Sequence, residues 1–332
     1  MEFKKVIGAL MDGAKLSQEE AYELMMCMSE GFFNEGQNAA IIIALSSRDI
    51  TLEEITGFRK AILSLSINTP LEQYDAIDLC GTGGDGKNTF NISTLSAFVV
   101  AGSGYKVAKH GNYGVSSVSG SSTVLEHLGY RFTNDPYKLE QELDKLNICF
   151  LHAPLFHPAL KHVAGVRKQL GIKTIFNTLG PLVNPARTKK QFAGVYSLKL
   201  ARLYHYLLQQ DGKDYVVVHA LDGYDEISLT GPVQYYSSFE ERLLSPVDLG
   251  MPTITEADLF GGDTAIEAAE IFRLILQGRG TDAQNQVVAA NAGAAIHCFE
   301  KDKSLVDCAA IAMESITSGK ALQLYSELIK IQ

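Results

Sequence analysis

No stretch of this 332-residue chain is apolar for long enough to cross a membrane, which argues against a membrane-spanning helix. The start, Met1-Glu2-Phe3-Lys4-Lys5, lacks the basic-then-apolar layout of a secretion signal. Cysteine is sparse. Cys27, Cys80, Cys149, Cys298 and Cys308 are scattered with no C-x-x-C pair. An odd, dispersed set speaks against a disulfide framework and for reduced thiols filling a core, as in a cytoplasmic protein. Positive charge is short as well, with 29 Lys and Arg against 38 Asp and Glu, a net charge of −9. An acidic chain repels polyanions at long range, which argues against nucleic acid as the main partner. A small phosphorylated ligand is still allowed if a local site, typically with a divalent metal, overcomes that field. Internal repeats and low-complexity linkers are also missing.

What is present suits a globular protein with a sizeable core, at 46% hydrophobic and 20% charged residues. The length predicts one large domain and a smaller one. Residues 1 to about 70 read as helices, because Ser17-Gln18-Glu19-Glu20 and Thr51-Leu52-Glu53-Glu54 are capping boxes followed by apolar residues at helical spacing. From Ala76 the texture changes to short β-branched runs alternating with helical stretches. Strands are expected at Ile77–Cys80, Tyr105–Ala108, Ile148–Leu151, Phe192–Ser197 and Tyr215–Ala220. Helices are expected at Thr123–Leu128, Pro136–Leu146, Leu198–Gln210 and Thr264–Leu276. That order predicts an α/β fold whose parallel sheet carries helices on both faces. The segment from Pro158 to Ala186 is different. It reads as a helix, Gly171, a short apolar stretch and a shaped loop from Asn177 to Ala186 with two asparagines and two prolines. Such an insertion can cross back to the N-terminal helices. The expected division is therefore a small, discontinuous helical domain of residues 1–72 joined by about 165–188, and a large domain of 73–164 and 189–332.

The most informative stretch is Gly81-Thr82-Gly83-Gly84-Asp85-Gly86, with an apolar strand before it and Thr89-Phe90-Asn91-Ile92-Ser93-Thr94 opening an apolar helix after it. Strand, glycine turn and helix start build an anion site from free backbone N–H groups. The spacing also satisfies G-x-G-x-x-G. A dinucleotide site, however, needs an acidic residue about 20 positions on, and that region reads Tyr105-Lys106-Val107-Ala108-Lys109-His110. Lys109-His110-Gly111-Asn112 falls where a parallel strand ends beside the first loop. With Ser116, Ser117, Ser119, Ser121 and Ser122 it makes a donor-rich loop, or else an ordinary turn. Ser93 and Thr94 read most simply as helix N-caps. Asp225 and Glu226, in the loop after the strand Tyr215–Ala220, either reach Mg²⁺ or form a solvated turn. His110 reads equally as a structural hydrogen-bonder or a catalyst. His157 and His162 lie five apart on one expected helix, off the spacing of a zinc pair. Arg167 is expected on the same helix, with a planar fork that suits a carboxylate.

Taken in order, Cys80–Thr94, Lys109–Ser121, His157–Lys161, Val166–Ala186 and Asp222–Thr230 resemble the anthranilate phosphoribosyltransferase family over nearly the whole chain. The resemblance implies a homodimer formed through the helical domain, an active site in the cleft between the domains, and two bound magnesium ions. It also implies transfer of the phosphoribosyl group of 5-phosphoribosyl 1-pyrophosphate (PRPP) to the amine of anthranilate. By position, PRPP would be held by Gly81, Gly84, Asp85, Thr89, Asn91, Ile92, Ser93, Thr94, Lys109, His110, Gly111, Asn112, Ser116, Ser117 and Ser121. Gly81, Asn112 and Arg167 would face anthranilate, and Ser93, Asp225 and Glu226 would bind metal. The chain departs from the common family pattern at Tyr113-Gly114, where most members carry arginine after the Lys-His-Gly-Asn run. It departs again at Gly120-Ser121-Ser122-Thr123, where many read Gly-Ser-Ala-Asp.

Overall fold

The computed structural model describes residues 1–114 and 120–332. Its helical start follows from its caps. Ser17 accepts from the Glu20 amide while the Glu20 carboxylate takes the Ser17 amide, opening the helix Gln18–Ser29. Thr51 and Glu54 open Leu52–Ser64 in the same way. A third box, Asn34 with Gln37, opens Glu35–Ser46 and was not foreseen from the sequence. The first and last of these helices touch closely at Gly57, where a Cβ would lie 2.2 Å from the Gln18 carbonyl oxygen.

Among the described residues seven strands form one sheet: β1 (Ala76–Leu79), β2 (Lys106–Gly111), β3 (Ile148–His152), β4 (Lys190–Gly194), β5 (Asp214–Ala220), β6 (Val233–Ser237) and β7 (Glu241–Leu244). Their order is β3-β2-β1-β4-β5-β6-β7. The first five run parallel, and β6 and β7 add an antiparallel edge. That edge was not expected. The solvent-facing strand β7 is short and exposed over Glu241 to Leu243, so its sequence carries no apolar run to mark it. The chain steps outward from β1 to β2 and β3, then returns to β4 on the other side of β1. Ligands of α/β sheets bind where strand order reverses in this way, outside the carboxyl ends of the strands. The ends of β1, β2, β4 and β5 therefore mark the place to look.

On one side of the sheet the helix Ile92–Gly102, buried nearly all round, packs with Asp282–Ile296 into the larger apolar core. On the other, the N-terminal helices share a core with Val163, Val166, Ile175, Phe176 and Leu179 and with Ala193, Tyr215 and Val217 of β4 and β5. The Ile175 amide donates to Ser46 Oγ at 3.1 Å, and Arg59 Nε donates to the Leu182 carbonyl at 3.0 Å. Residues 158–186 are more helical than expected. Asn177 to Leu179 end a short helix, Ile175–Leu179, and Gly180–Leu182 is a 3₁₀ turn, so the irregular loop starts only beyond it. All five cysteines are free thiols. Among the described residues, no helix is long and apolar enough to cross a membrane.

Candidate functional site

Strand β1 is buried along its length and carries Asp78 in its middle. The Asp78 carboxylate accepts the His110 backbone N–H at 3.0 Å, and burial pushes its carboxyl up to about 6 against the pull of the Lys109 ammonium. Lys109 is itself buried in β2 and donates to the Leu79 carbonyl. These contacts lock the ends of β1 and β2 together. The run Lys109-His110-Gly111 is thus strand, not surface turn.

Beyond Leu79 the chain enters the glycine loop, where Gly83, Gly84 and Gly86 all take left-handed φ angles of 61°, 77° and 76°. Only glycine adopts such a sequence of angles cheaply. The loop delivers the chain to the helix Ile92–Gly102, whose N-cap is Asn91. Ser93 and Thr94 are therefore inside the first turn and are not caps. The difference matters, because the Ser93 backbone N–H then points beyond the helix end and donates to the Glu226 carboxylate.

Asp225 and Glu226 leave the end of β5 and turn inward, both buried, which rules out a solvated turn. The Gly83 amide donates to Asp225 Oδ2 at 2.7 Å. Burial, reinforced by the neighbouring Asp85 carboxylate, pushes the Asp225 carboxyl up to about 7. Burial and then Asp225 push Glu226 further, while Lys109 opposes. Among the described residues, Glu226 Oε2 is buried without a hydrogen-bond partner. Two glycines make this approach possible. A Cβ on Gly81 would lie 2.8 Å from Asp225 Oδ2, and one on Gly194, at the end of β4, only 1.6 Å from the Asp225 carbonyl oxygen. Gly194 escaped the sequence reading. Its only signal is a glycine closing an apolar strand, which marks close backbone approach.

One cleft of about 280 Å³ gathers these groups. Gly81, Gly84, Asp85, Thr89 and Asn91 to Thr94 line it together with Lys109 to Asn112, Ser121, Arg167, Asp225 and Glu226. Ser116 and Ser117 lie outside the described residues. Among the described residues, the hydroxyl oxygens of Thr82 and Thr94 are buried there without partners, as donors awaiting an anion would be. Arg167, on the helix Lys161–Leu170, stacks its guanidinium 4.9 Å from the Phe176 ring centroid, and among the described residues its buried Nε has no partner. Burial brings it down to about 10, still a cation at neutral pH. Leu179 and Val183 line the same region, so the cleft has a donor-rich end and an apolar end with one cation.

His157 does not share a helix with His162. It sits buried between the short helix Ala153–Phe156 and a 3₁₀ turn, in edge contact with His110 at 5.3 Å between ring centroids. Burial, then His157, holds His110 down to about 3, and burial holds His157 down to about 4. Both rings are neutral near pH 7 and neither is a ready acid. A depressed histidine contributes stability that is present above its unfolded value of 6.5 and lost as pH falls toward its folded value. The stability advantage of the native protein over His157→Gln is therefore expected to shrink between pH 7 and pH 4, by about 1.4 kcal/mol for each unit of the shift. Urea unfolding of both proteins at several pH values measures it, and a constant difference would contradict the buried neutral ring.

Lys173 also went unrecognised in the sequence. Its side chain lies over Gly84, where a Cβ would meet Lys173 Cδ at 2.9 Å, and its ammonium sits 3.6 Å from the Tyr196 ring centroid. Tyr113, at the departure from the family pattern, donates from its hydroxyl to Glu126 at 2.8 Å and sets its ring edge-on to His152.

Comparison with known proteins agrees with this geometry. The model of the glycosyl transferase family a/b domain matches residues 73–322, and that of the family's helical bundle domain matches residues 4–66. The anthranilate phosphoribosyltransferase of Christiangramia forsetii is 51% identical over 328 residues, 99% of either chain. That of Flavobacterium psychrophilum is 50% identical over 325 residues, 98% of either chain. Among solved structures, the anthranilate phosphoribosyltransferase of Thermus thermophilus superposes with a TM-score of 0.90 at 34% identity, covering 98% of both chains. The Saccharomyces cerevisiae enzyme in complex with PRPP and Mg gives 0.87 at 26% identity, covering 99% of this chain and 97% of its own. Matched along its whole length by relatives half identical to it, the chain belongs to the anthranilate phosphoribosyltransferase family of glycosyl transferases.

Proposed function

We propose that the protein transfers the phosphoribosyl group of PRPP to the amine of anthranilate, giving N-(5-phosphoribosyl)anthranilate and pyrophosphate in tryptophan biosynthesis. The observation that carries this reading is the closure of the glycine loop on the acidic pair, with the Gly83 amide 2.7 Å from Asp225 Oδ2 in a cleft that also holds Lys109 and Arg167. The Thr82 and Thr94 hydroxyls, with Lys109, Asn112 and Ser121, supply the donors a phosphorylated sugar needs. Ser116 and Ser117 join them by position. Arg167 offers its fork to the anthranilate carboxylate, while Phe176 and Leu179 cover an aromatic ring. The aromatic amine attacks the ribose carbon as the bond to pyrophosphate breaks, and its proton is then lost to solvent. That amine is neutral near pH 7, so no base is required, in keeping with two histidines held neutral by burial.

The acidic residues fit magnesium. A buried carboxylate oxygen without a partner, beside two further carboxylates, suits a hard cation with oxygen ligands. Asp225 and Glu226, with Ser93, would hold it, and two ions are proposed. Among the described residues no three His, Cys, Asp or Glu side chains form a ready metal cage, and substrate oxygens and water would supply the other ligands such a cation takes. When bound, magnesium neutralises the charge that develops on the departing pyrophosphate.

Residues 1–72 with about 165–188 are proposed as the small domain and the remainder as the large one, and the shared core of the N-terminal helices with Val163 to Leu182 supports this. A homodimer through the helical domain is supported by the exposure of Met11, Phe32 and Ile43. A cytoplasmic location is proposed from the free thiols.

Arg167→Ala is expected to raise KM for anthranilate roughly tenfold to a hundredfold, with KM for PRPP little changed, because a charge-assisted contact to the carboxylate is lost. Steady-state kinetics with each substrate varied decides it. Weakened PRPP with unaltered anthranilate would show the assignment to be wrong. Tyr113→Arg is expected to be tolerated, since Glu126 can pair with a guanidinium as it now accepts from the phenol. A kcat/KM loss beyond about a hundredfold would show that the edge contact with His152 has become essential to this loop.

A further inference from the structure

A second cavity, of about 360 Å³, shares Pro181 with the cleft but none of its polar groups. Arg59, Lys60, Arg187 and Lys213 line it, and among the described residues no acidic side chain does. In a protein of net charge −9, four cations around one small concavity are a local reversal of sign. Their present partners leave charge to spare. Arg59 is committed, donating to Asp211 at 2.5 Å and to the Leu182 carbonyl. Arg187 meets Glu72 only at 3.6 Å, with both side chains about half exposed, a weak pair. Among the described residues, Lys60 and Lys213 make no ion pair. Asp78 and Asp211 act on Lys213 at longer range, and burial followed by Arg59 brings its ammonium down to about 8.

Arg187 adds a second kind of evidence. Its φ of 46° is left-handed, a conformation a long side chain rarely adopts. The strain is held in place. The Arg187 amide donates to the Asn184 carbonyl at 3.1 Å, Asn184 Oδ1 accepts the Ala186 amide, and Asn184 Nδ2 donates to the Ala108 carbonyl of β2. The turn is fixed on both sides, and Arg187 lines the cavity from it while its side chain stays about half exposed, within reach of a ligand arriving from solvent.

We infer that this cavity is a second anion site, built for a small phosphorylated molecule with two or more negative charges, which bridges the helix Leu52–Ser64 to the start of β5. A single carboxylate would leave several cations unmatched, whereas a phosphate group engages arginine forks and lysines together. The volume lies at the small end of the range for small-molecule sites, roughly 300–1,000 Å³. A folded protein partner does not enter such a space.

Calorimetric titration of the full chain with inorganic pyrophosphate, without Mg²⁺, tests the site. Lys60→Gln with Arg187→Gly is expected to weaken one binding event roughly tenfold to a hundredfold. Glycine accepts the left-handed φ, so the fold is kept, and Lys60→Gln alone, on an exposed position, should give a smaller loss in the same direction. Glu72→Gln, which frees Arg187, is expected to leave binding equal or tighter. In all three variants kcat and KM for PRPP stay at native values at low anion concentration. Identical titrations of native and doubly substituted protein would overturn the inference. So would a parallel rise in KM for PRPP, because the pyrophosphate would then be reporting on the catalytic cleft.

Discussion

Asp225→Asn combined with Glu226→Gln is expected to lower turnover roughly a thousandfold or more without unfolding the protein. The two carboxylates are the buried negative charge closest to the glycine loop; each takes a backbone amide, from Gly83 and Ser93, but among the described residues no cation pairs with them and Glu226 Oε2 has no hydrogen-bond partner. Removing the charge removes what positions a cation against a departing pyrophosphate. Stability should move the other way. A carboxyl raised by burial, as Asp225 is to about 7, contributes stability that is present below its unfolded value near 3.8 and lost as pH rises through 7. At pH 8 the native protein bears that cost and the amide variant does not. Its melting temperature without Mg²⁺ should therefore equal or exceed the native one. The amide oxygen at position 225 can still accept the Gly83 amide. Native turnover at low Mg²⁺ would refute the metal role. A melting temperature lowered by many degrees would show instead that the carboxylates serve mainly to hold the turn.

Gly194→Ala is expected to be the most damaging conservative change outside the residues that line the cleft. The added Cβ would lie 1.6 Å from the Asp225 carbonyl oxygen, a distance no side-chain movement can relieve because the obstacle is backbone. Either β4 or the Asp225–Glu226 loop must shift. Overpacking typically costs about 1–3 kcal/mol, and a displacement of about 1 Å at positioning residues costs about a hundredfold in rate. Both effects are expected together, with kcat falling, the melting temperature falling and KM for anthranilate less affected, since Arg167 lies on a different element. Near-native kcat and stability would mean that Asp225 does not need its present position.

The site was legible in the sequence to the extent that its chemistry is local. The glycine loop, the Lys109–Asn112 run and the adjacent Asp225 and Glu226 are each continuous, and each lies at or beyond the end of an apolar strand. Capping boxes at Ser17 and Thr51 placed two N-terminal helices because a cap is decided within four residues. What escaped depends on contacts distant along the chain. Gly194 matters through Asp225, and Lys173 through Gly84 and Tyr196. Ser93 resembles a cap by residue type, but the helix starts two residues earlier, with Asn91 as its N-cap. The edge strand β7 lacks the buried run that marks β1 to β5, and β6, though buried, mixes Gln234 and Ser237 with its apolar residues and so shows no continuous apolar run. Burial, which no local pattern reveals, decides that His110 and His157 are neutral.

The central claim is that one cleft joins PRPP, held by the glycine loop and magnesium, to anthranilate, held by Arg167. Its most direct test follows the intrinsic fluorescence of anthranilate in the presence of the native protein, PRPP and Mg²⁺, omitting each component in turn. Fluorescence is expected to decay only in the complete mixture, with release of pyrophosphate equal to the anthranilate consumed. Decay without PRPP, decay undiminished by a chelator, or no decay in the complete mixture would contradict the account.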